Sequence, residues 1–153
     1  MSLRKEDLYT FKRMCLSDLD QVYNLELICY EFPWTKNILR DCIIYKYDSF
    51  TVFYNNILAG YIIAKINLDE THILNLTVSI EHRRMGLGSS LMDMVLNDAR
   101  IQESKSVILE VRESNTSARR LYEKYKFKLI GKRKNYYESS LGREDALVFS
   151  LNL

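Results

Sequence analysis

Apolar and polar positions change period several times along the chain, and each change marks an element. Residues 9–14 read as a short strand. Ser17, with Asp20 three residues on, reads as a helix start, and Leu25, Ile28, Cys29 and Phe32 form an i, i+3, i+4, i+7 stripe. Pro33 ends that helix, because the residue before a proline is pushed out of the helical region. Thr35 can cap a second short helix carrying Ile38, Leu39, Cys42 and Ile43. The pattern then turns to β: residues 50–54 and 57–66 flank Asn55-Asn56, a pair suited to a hairpin turn because asparagine tolerates positive φ.

A third strand over 73–80 follows the polar 67–71 segment, and Leu87, Leu91, Met94, Val95 and Ala99 mark a long amphipathic helix. Residues 107–112 read as the next strand. Ser114-Asn115 can cap a helix with Ala118, Leu121, Tyr122 and Tyr125 on one face, and strands near 127–132 and 146–151 close the chain. The order βααβββαβαββ predicts an α/β (α+β) three-layer fold rather than a helical bundle or a β-sandwich.

Composition narrows this further. A chain of 153 residues, 47% hydrophobic, suits one domain spanning 1–153. Its 22 basic and 20 acidic residues leave a net charge of +2, which argues against direct nucleic-acid binding. Five glycines, one proline and 12% aromatic residues exclude a linker-rich or disordered chain. No apolar run approaches a membrane span, and the N-terminal MSLRKEDLYTF has no apolar stretch behind its charges, so a cytoplasmic location without membrane association is expected. Cys15, Cys29 and Cys42 are odd in number and lack metal spacing; they read as buried small hydrophobes, with no disulfide framework and no metal.

The most informative segment is an apolar strand that runs through Leu76, Thr77 and Val78 into Arg83-Arg84-Met85-Gly86-Leu87-Gly88-Ser89-Ser90. A glycine-bearing turn at a helix start is an anion site: its backbone N–H groups lack intrahelical partners, and the helix dipole adds attraction. The two arginines supply charge-assisted donors, and the Ser89 and Ser90 hydroxyls supply neutral ones. Neither GxxxxGK[ST] nor GxGxxG is present, so this is a pyrophosphate cradle of another kind.

Arg83-Arg84-Met85-Gly86-Leu87-Gly88 resembles the Q/R-x-x-G-x-G/A signature of the GNAT superfamily of acyl-CoA N-acyltransferases. The resemblance implies a central mixed, mostly antiparallel sheet flanked by helices, with acetyl-CoA as co-substrate and no metal. In that family the strand before the turn is splayed from its neighbour, and the acetyl-pantetheine end inserts there. Leu76, Thr77 and Val78 would supply its backbone contacts, with the Val78 N–H facing the thioester carbonyl.

The segment Leu109-Glu110-Val111-Arg112-Glu113-Ser114-Asn115, the run from Ala118 through Leu121-Tyr122 to Phe127, Asn135-Tyr136-Tyr137, Gly142 to Ala146, and Phe32-Pro33-Trp34 together resemble the RimI-type branch, the ribosomal-protein alanine N-acetyltransferases. That branch acetylates protein N-termini, so a ribosomal protein is the implied partner. By resemblance, Glu110 takes the amine proton, Tyr122 protonates the leaving thiolate, Asn115 contacts the cofactor, and Phe32, Trp34, Tyr136 and Tyr137 wall the acceptor entrance. The density of lysine after Tyr122 departs from the branch and bears on substrate choice.

Read by residue chemistry alone, several roles stay open. Attack of an amine on a thioester needs a neutral nitrogen, a donor to the carbonyl oxygen and a proton for the thiolate. Glu110 interrupts the apolar Val107-Ile108-Leu109 run and suits a base, but it also fits the solvent side of an alternating strand or a partner of Arg112. Tyr122 fits a core position with Ala118 and Tyr125; Asn115 fits a helix cap; Trp34 and the tyrosine pair fit packing. His72 and His82 have no Ser, Cys or carboxylate partner at a recognisable spacing.

The run Lys124, Lys126, Lys128, Lys132, Arg133, Lys134 reads as a solvated face, the alternatives being attraction of an acidic partner, of a ribosomal surface or of the cofactor's 3′-phosphate. Glu113, Glu138, Glu144 and Asp145 are candidates for reading a basic second residue. Residues 1–75 carry 8 basic and 10 acidic groups, and 76–153 carry 14 and 10, so the positive excess lies in the half with the cradle. The alternatives to α-amine acetylation are acetylation of a lysine or small-molecule amine and, outside enzymes, an acyl-CoA-binding interaction module.

Overall fold

Two asparagines at positive φ show how directly parts of this sequence dictate structure. Asn55 (φ 48°) and Asn56 (φ 65°) turn the chain between two antiparallel strands, as their side chains allow. The structure, a computed structural model, describes residues 8–153. Its strands are β1 (Tyr9–Arg13), β2 (Asp48–Tyr54), β3 (Ile57–Lys65), β4 (Thr71–Val78), β5 (Ser106–Arg112), β6 (Lys128–Ser139) and β7 (Gly142–Asn152). Its α-helices are α1 (Leu19–Cys29), α2 (Lys36–Ile44), α3 (Leu87–Ile101) and α4 (Thr116–Lys124). The predicted element order is therefore the observed one. The seven strands form one sheet in the order β1-β2-β3-β4-β5-β7-β6; β4 and β5 pair in parallel, and β1–β2, β2–β3, β5–β7 and β6–β7 are antiparallel.

The described chain resolves into two compact units: residues through Ala64 with Asn75–Leu96, and Lys65–Leu74 with Asn97–Leu153. In the first, β3 is buried continuously from Leu58 to Ala64, the signature of a strand covered on both faces. Val22, Leu39, Val52, Leu91 and Val95 are also fully buried. In the second, the buried residues include the Val107, Leu109 and Val111 side of β5, Ile73, Ala99, Tyr122, Phe127, and the run from Ala146 to Phe149 on β7. Among the described residues no helix is long and apolar enough to cross a membrane.

Helix α1 corrects two expectations. Asp18, rather than Ser17, organises its entry by accepting the Cys15 N–H at 2.8 Å, and regular helix begins at Leu19. The helix also stops at Cys29, short of Pro33, because Tyr30 is extended (φ −125°, ψ 134°) and its hydroxyl reaches the Leu76 carbonyl (3.2 Å) and Thr77 Oγ1 (2.7 Å). The buried face is Leu19, Val22, Leu25 and Glu26, while Ile28 is 72% exposed and Phe32 lies beyond the helix. Thr35 caps α2 as expected, accepting from the Ile38 N–H, and Asn115 caps α4 from Ala118. Of the three cysteines only Cys42 is buried; Cys15 is exposed and Cys29 intermediate.

The closing hairpin is longer than expected, since β6 continues to Ser139 and β7 begins at Gly142. Its outer part is almost wholly exposed, so no hydrophobic alternation marks it. Register shifts between Leu129 and Gly131 and again between Arg133 and Tyr137. Within the second irregularity Asn135 takes φ 53°, its N–H bound by Asp145 Oδ1 and its carbonyl by Arg143 Nε. A bulge of this kind re-aims the side chains that follow it.

Candidate active site

The first unit holds the strand-turn-helix segment. Gly60 on β3 faces the end of β4 so closely that a Cβ there would lie 2.7 Å from the Thr77 carbonyl oxygen, so a side chain at this position would displace the strand. The turn after β4 uses positive φ at Arg84 (62°) and Gly86 (77°), and the α3 ladder begins with the Ser90 N–H donating to the Gly86 carbonyl. The Leu87 and Gly88 amides precede that ladder, as an anion cradle requires. Gly86, Arg84 and Met85 are exposed, and a Cβ on Gly86 would meet nothing within 4 Å, which leaves room at the turn for a large anion. Ser89 and Ser90 occupy the first turn of α3 at intermediate burial.

The two arginines differ. Arg83 Nε donates to the Val78 carbonyl at 3.2 Å, and its guanidinium also lies by the Cys29 thiol, whose pKa burial pushes up. Arg83 thus ties the turn back onto β4, while Arg84 is exposed at the turn. The turn is also pinned from β1: the Tyr9 hydroxyl meets His82 Nδ1 at 2.8 Å and Met85 Sδ at 3.1 Å, and the His82 ring packs on Tyr9 and Tyr54. His82 is a packing residue.

Behind the end of β4 lies a polar web that sequence reading missed. Glu26, 2% exposed, accepts from the Tyr61 hydroxyl, from Asn75 Nδ2 (3.2 Å to one oxygen, 3.3 Å to the other) and from the Trp34 N–H (3.2 Å). Asn75 Oδ1 accepts from Thr77 Oγ1 at 2.8 Å, and Thr77 meets the Tyr30 hydroxyl. Burial, with Glu26 adding to it, holds the Tyr61 phenol far above its ordinary pKa, and burial pushes Tyr30 up to about 12. Both stay protonated donors. The web thus fixes Trp34, beside the exposed Phe32, to the β4 segment Asn75–Thr77.

The second unit holds the carboxylate. Parallel pairing joins β4 to β5 through Thr71–Val107, His72–Ile108 and Ile73–Leu109. His72 therefore lies on the same face as Ile108 and, two residues on, Glu110. The Glu110 side chain is 11% exposed, with His72 Nε2 3.1 Å from Oε2 and Arg133 Nε 3.4 Å from Oε1. Arg112, two residues on, binds Glu144 (3.2 Å) and the Glu138 carbonyl (2.7 Å). The bulge in β6 places Tyr137 with its ring against the Arg112 guanidinium (4.6 Å) and edge-to-face with Tyr136 (4.9 Å). Burial first, and the Glu110 charge second, push Tyr137 up to about 12.

Tyr122 is 6% exposed, its ring 5.9 Å from Phe127 and 6.2 Å from Phe149, so it is a core tyrosine as well as a candidate donor. Three of the acidic residues considered as acceptor readers are engaged internally: Glu113 with Lys132, Asp145 with Lys132 and the Asn135 N–H, and Glu144 with Arg112 and the Ser114 N–H. The Ser114 and Arg112 bonds hold the Glu144 carboxyl below its ordinary pKa. Among the described residues no group of three or more His, Cys, Asp or Glu could hold a metal ion.

Comparison with known proteins agrees with these features. A family model described as "Acetyltransferase (GNAT) family" matches residues 19–127. A curated relative from Escherichia coli (strain K12), "[Ribosomal protein bS18]-alanine N-acetyltransferase", is 31% identical over 142 residues, covering 93% of this chain and 96% of its own. A protein of the same description from Haemophilus influenzae is 33% identical over 137 residues, 89% of this chain and 93% of its own. The crystal structure of the ribosomal-protein-S18-alanine N-acetyltransferase from Escherichia coli superposes with a TM-score of 0.88 at 30% identity, covering 94% of this chain and 93% of that one.

Proposed function

Since the chain belongs to the acetyltransferase (GNAT) family, we propose that it transfers acetyl from acetyl-CoA to the α-amine of a protein N-terminus, with a ribosomal protein beginning in alanine as the acceptor. The observation that carries the reading is Glu110: a nearly buried carboxylate that follows the apolar Val107-Ile108-Leu109 run of β5, held by His72 and Arg133. An unpartnered carboxylate would not be tolerated there, and the imidazole that holds it can itself exchange protons.

Acetyl-CoA supplies the acetyl group as a thioester. Arg84 with the turn residues Met85, Gly86, Leu87, Gly88, Ser89 and Ser90 holds its phosphates, Arg83 braces the turn, and Asn115 adds a contact from the α4 cap. Leu76, Thr77 and Val78 hold the acetyl-pantetheine end, the Val78 N–H donating to the thioester carbonyl. Glu110 takes the proton of the acceptor amine, and Tyr122 gives one to the thiolate sulfur. An α-amine suits this arrangement, because its reference pKa near 8 lies well below the ~10.4 of lysine, so less work is asked of the base. Phe32, Trp34, Tyr136 and Tyr137 wall the acceptor entrance. A single domain over 1–153 and a cytoplasmic location complete the reading.

The test is thiol release from acetyl-CoA with peptides beginning Ala, Ser or Met, with the same peptides blocked at the N-terminus, and with polyamines. Free peptides should turn over and blocked ones should not. Equal rates on both would overturn the α-amine assignment in favour of a lysine or small-amine acceptor.

A further inference from the structure

We propose that His72 is the outlet for the proton that Glu110 takes from the acceptor amine, a positioning and relay role that rests on Glu110 being the base. Three features carry it. His72 Nε2 sits 3.1 Å from Glu110 Oε2, within proton-transfer distance. The imidazole side chain is 35% exposed whereas the carboxylate is 11% exposed, so the ring connects a nearly buried acid to water. The remaining charged or titratable groups around this carboxylate are unsuited to the task. Arg133 has no acceptor lone pair and stays charged; Arg112 is engaged by Glu144 and Glu138; and Tyr137, pushed up to about 12, is a protonated phenol. Imidazole is the side chain suited to accepting a proton on one nitrogen and releasing one from the other near neutral pH.

The protons balance as follows. The N–H bond of the acceptor ammonium breaks, its electron pair stays on nitrogen, and the proton forms an O–H bond on Glu110. In the tautomer with Nδ1 protonated, the Nε2 lone pair takes that proton from Glu110, giving an imidazolium beside a restored carboxylate. The Nδ1 proton then passes to water, and exchange with water returns the neutral ring to the Nδ1-protonated tautomer. As the neutral amine forms the C–N bond and the C–S bond breaks, the thiolate takes the Tyr122 phenol proton, and the second N–H proton lost by the acceptor nitrogen reprotonates Tyr122. Nothing is oxidised or reduced.

The experiment compares wild type with His72→Gln, whose amide keeps a neutral donor near Glu110 but cannot carry a proton, and with His72→Ala, using acetyl-CoA and a free Ala-initiated peptide. His72→Gln should lower kcat about tenfold, flatten its pH dependence between pH 6 and 8, and leave the KM for acetyl-CoA unchanged. Added imidazole should restore part of the His72→Ala rate and leave wild type unaffected. Wild-type kcat and pH profile in His72→Gln, or a loss in His72→Ala that imidazole does not restore, would overturn the relay. Glu110→Gln separates the two readings: if it is inactive while His72→Gln is normal, only the relay fails, and if it turns over at the wild-type rate, the base assignment itself fails.

Discussion

Glu26 and Glu110 are both carboxylates removed from water, one in each compact unit, and their partners differ in kind. Glu26 is held by neutral donors on separate elements: a phenol from β3, an amide from β4 and a backbone N–H from the loop after α1. All three donate to it, and its position fastens Trp34 to the end of β4. Glu110 is held by an imidazole and a guanidinium, both more exposed than itself, and of the two only the imidazole can take up a proton. Sequestration alone therefore does not make a base. On the relay proposed above, the base also has a neighbour that can exchange protons with water, which for Glu110 is His72.

The largest expected effects would break this contrast at its functional end. Glu110→Gln and Tyr122→Phe should each lower turnover by ~10²-fold or more while acetyl-CoA binding, measured by calorimetry, stays within a few-fold of wild type. Glu26→Ala should do the reverse in kind. With its acceptor gone, the buried donors of Tyr61 and Asn75 are stranded, and denaturant unfolding should show a loss of roughly 2–4 kcal/mol. If Glu26→Gln lost turnover as severely as Glu110→Gln without loss of stability, the two carboxylates would not differ as argued.

A smaller effect is expected at the turn. Arg84→Ala should weaken acetyl-CoA binding by about tenfold with little change in kcat, and Arg83→Ala should cost more in stability than in affinity, since Arg83 binds β4. The smallest effect concerns a third nearly buried carboxylate, Asp18. Burial acts to raise its pKa, but the Lys12 ammonium and the Cys15 N–H and thiol outweigh it and the folded value is lowered. Its stabilisation is therefore present above the unfolded pKa of about 3.9 and is lost as pH falls through the lower folded value. Asp18→Asn should remove that portion of the acid-induced loss, up to ~1 kcal/mol, in unfolding curves recorded between pH 5 and 2.

Local pattern made most elements legible. The Asn55-Asn56 turn, the Thr35 and Asn115 caps and the Gly86 turn were readable because each depends on a residue's own backbone preference or on a bond spanning three residues. The length of the last hairpin was not, because an exposed ribbon carries no apolar alternation. Nor was the buried face of α1, where the expected stripe included Ile28 and Phe32 but the fold buries Glu26. No periodicity rule forecasts a buried charge, which is stable only with partners such as Tyr61 and Asn75, 35 and 49 residues away.

The order of elements, the arginine-glycine turn at the start of α3 and the place of Glu110 after the apolar Val107-Ile108-Leu109 run are all properties of short segments, legible in the chain alone. Tertiary structure alone decided what each group does there. Parallel pairing of His72 with Ile108 brings an imidazole to Glu110, the β6 bulge turns Tyr137 onto Arg112, and the fold commits Arg83, Glu113, Glu144 and Asp145 to internal partners. The physical reason is distance along the chain. Periodicity and capping act over a few residues, whereas the charge state and freedom of a side chain depend on neighbours that only strand register brings within a few ångströms.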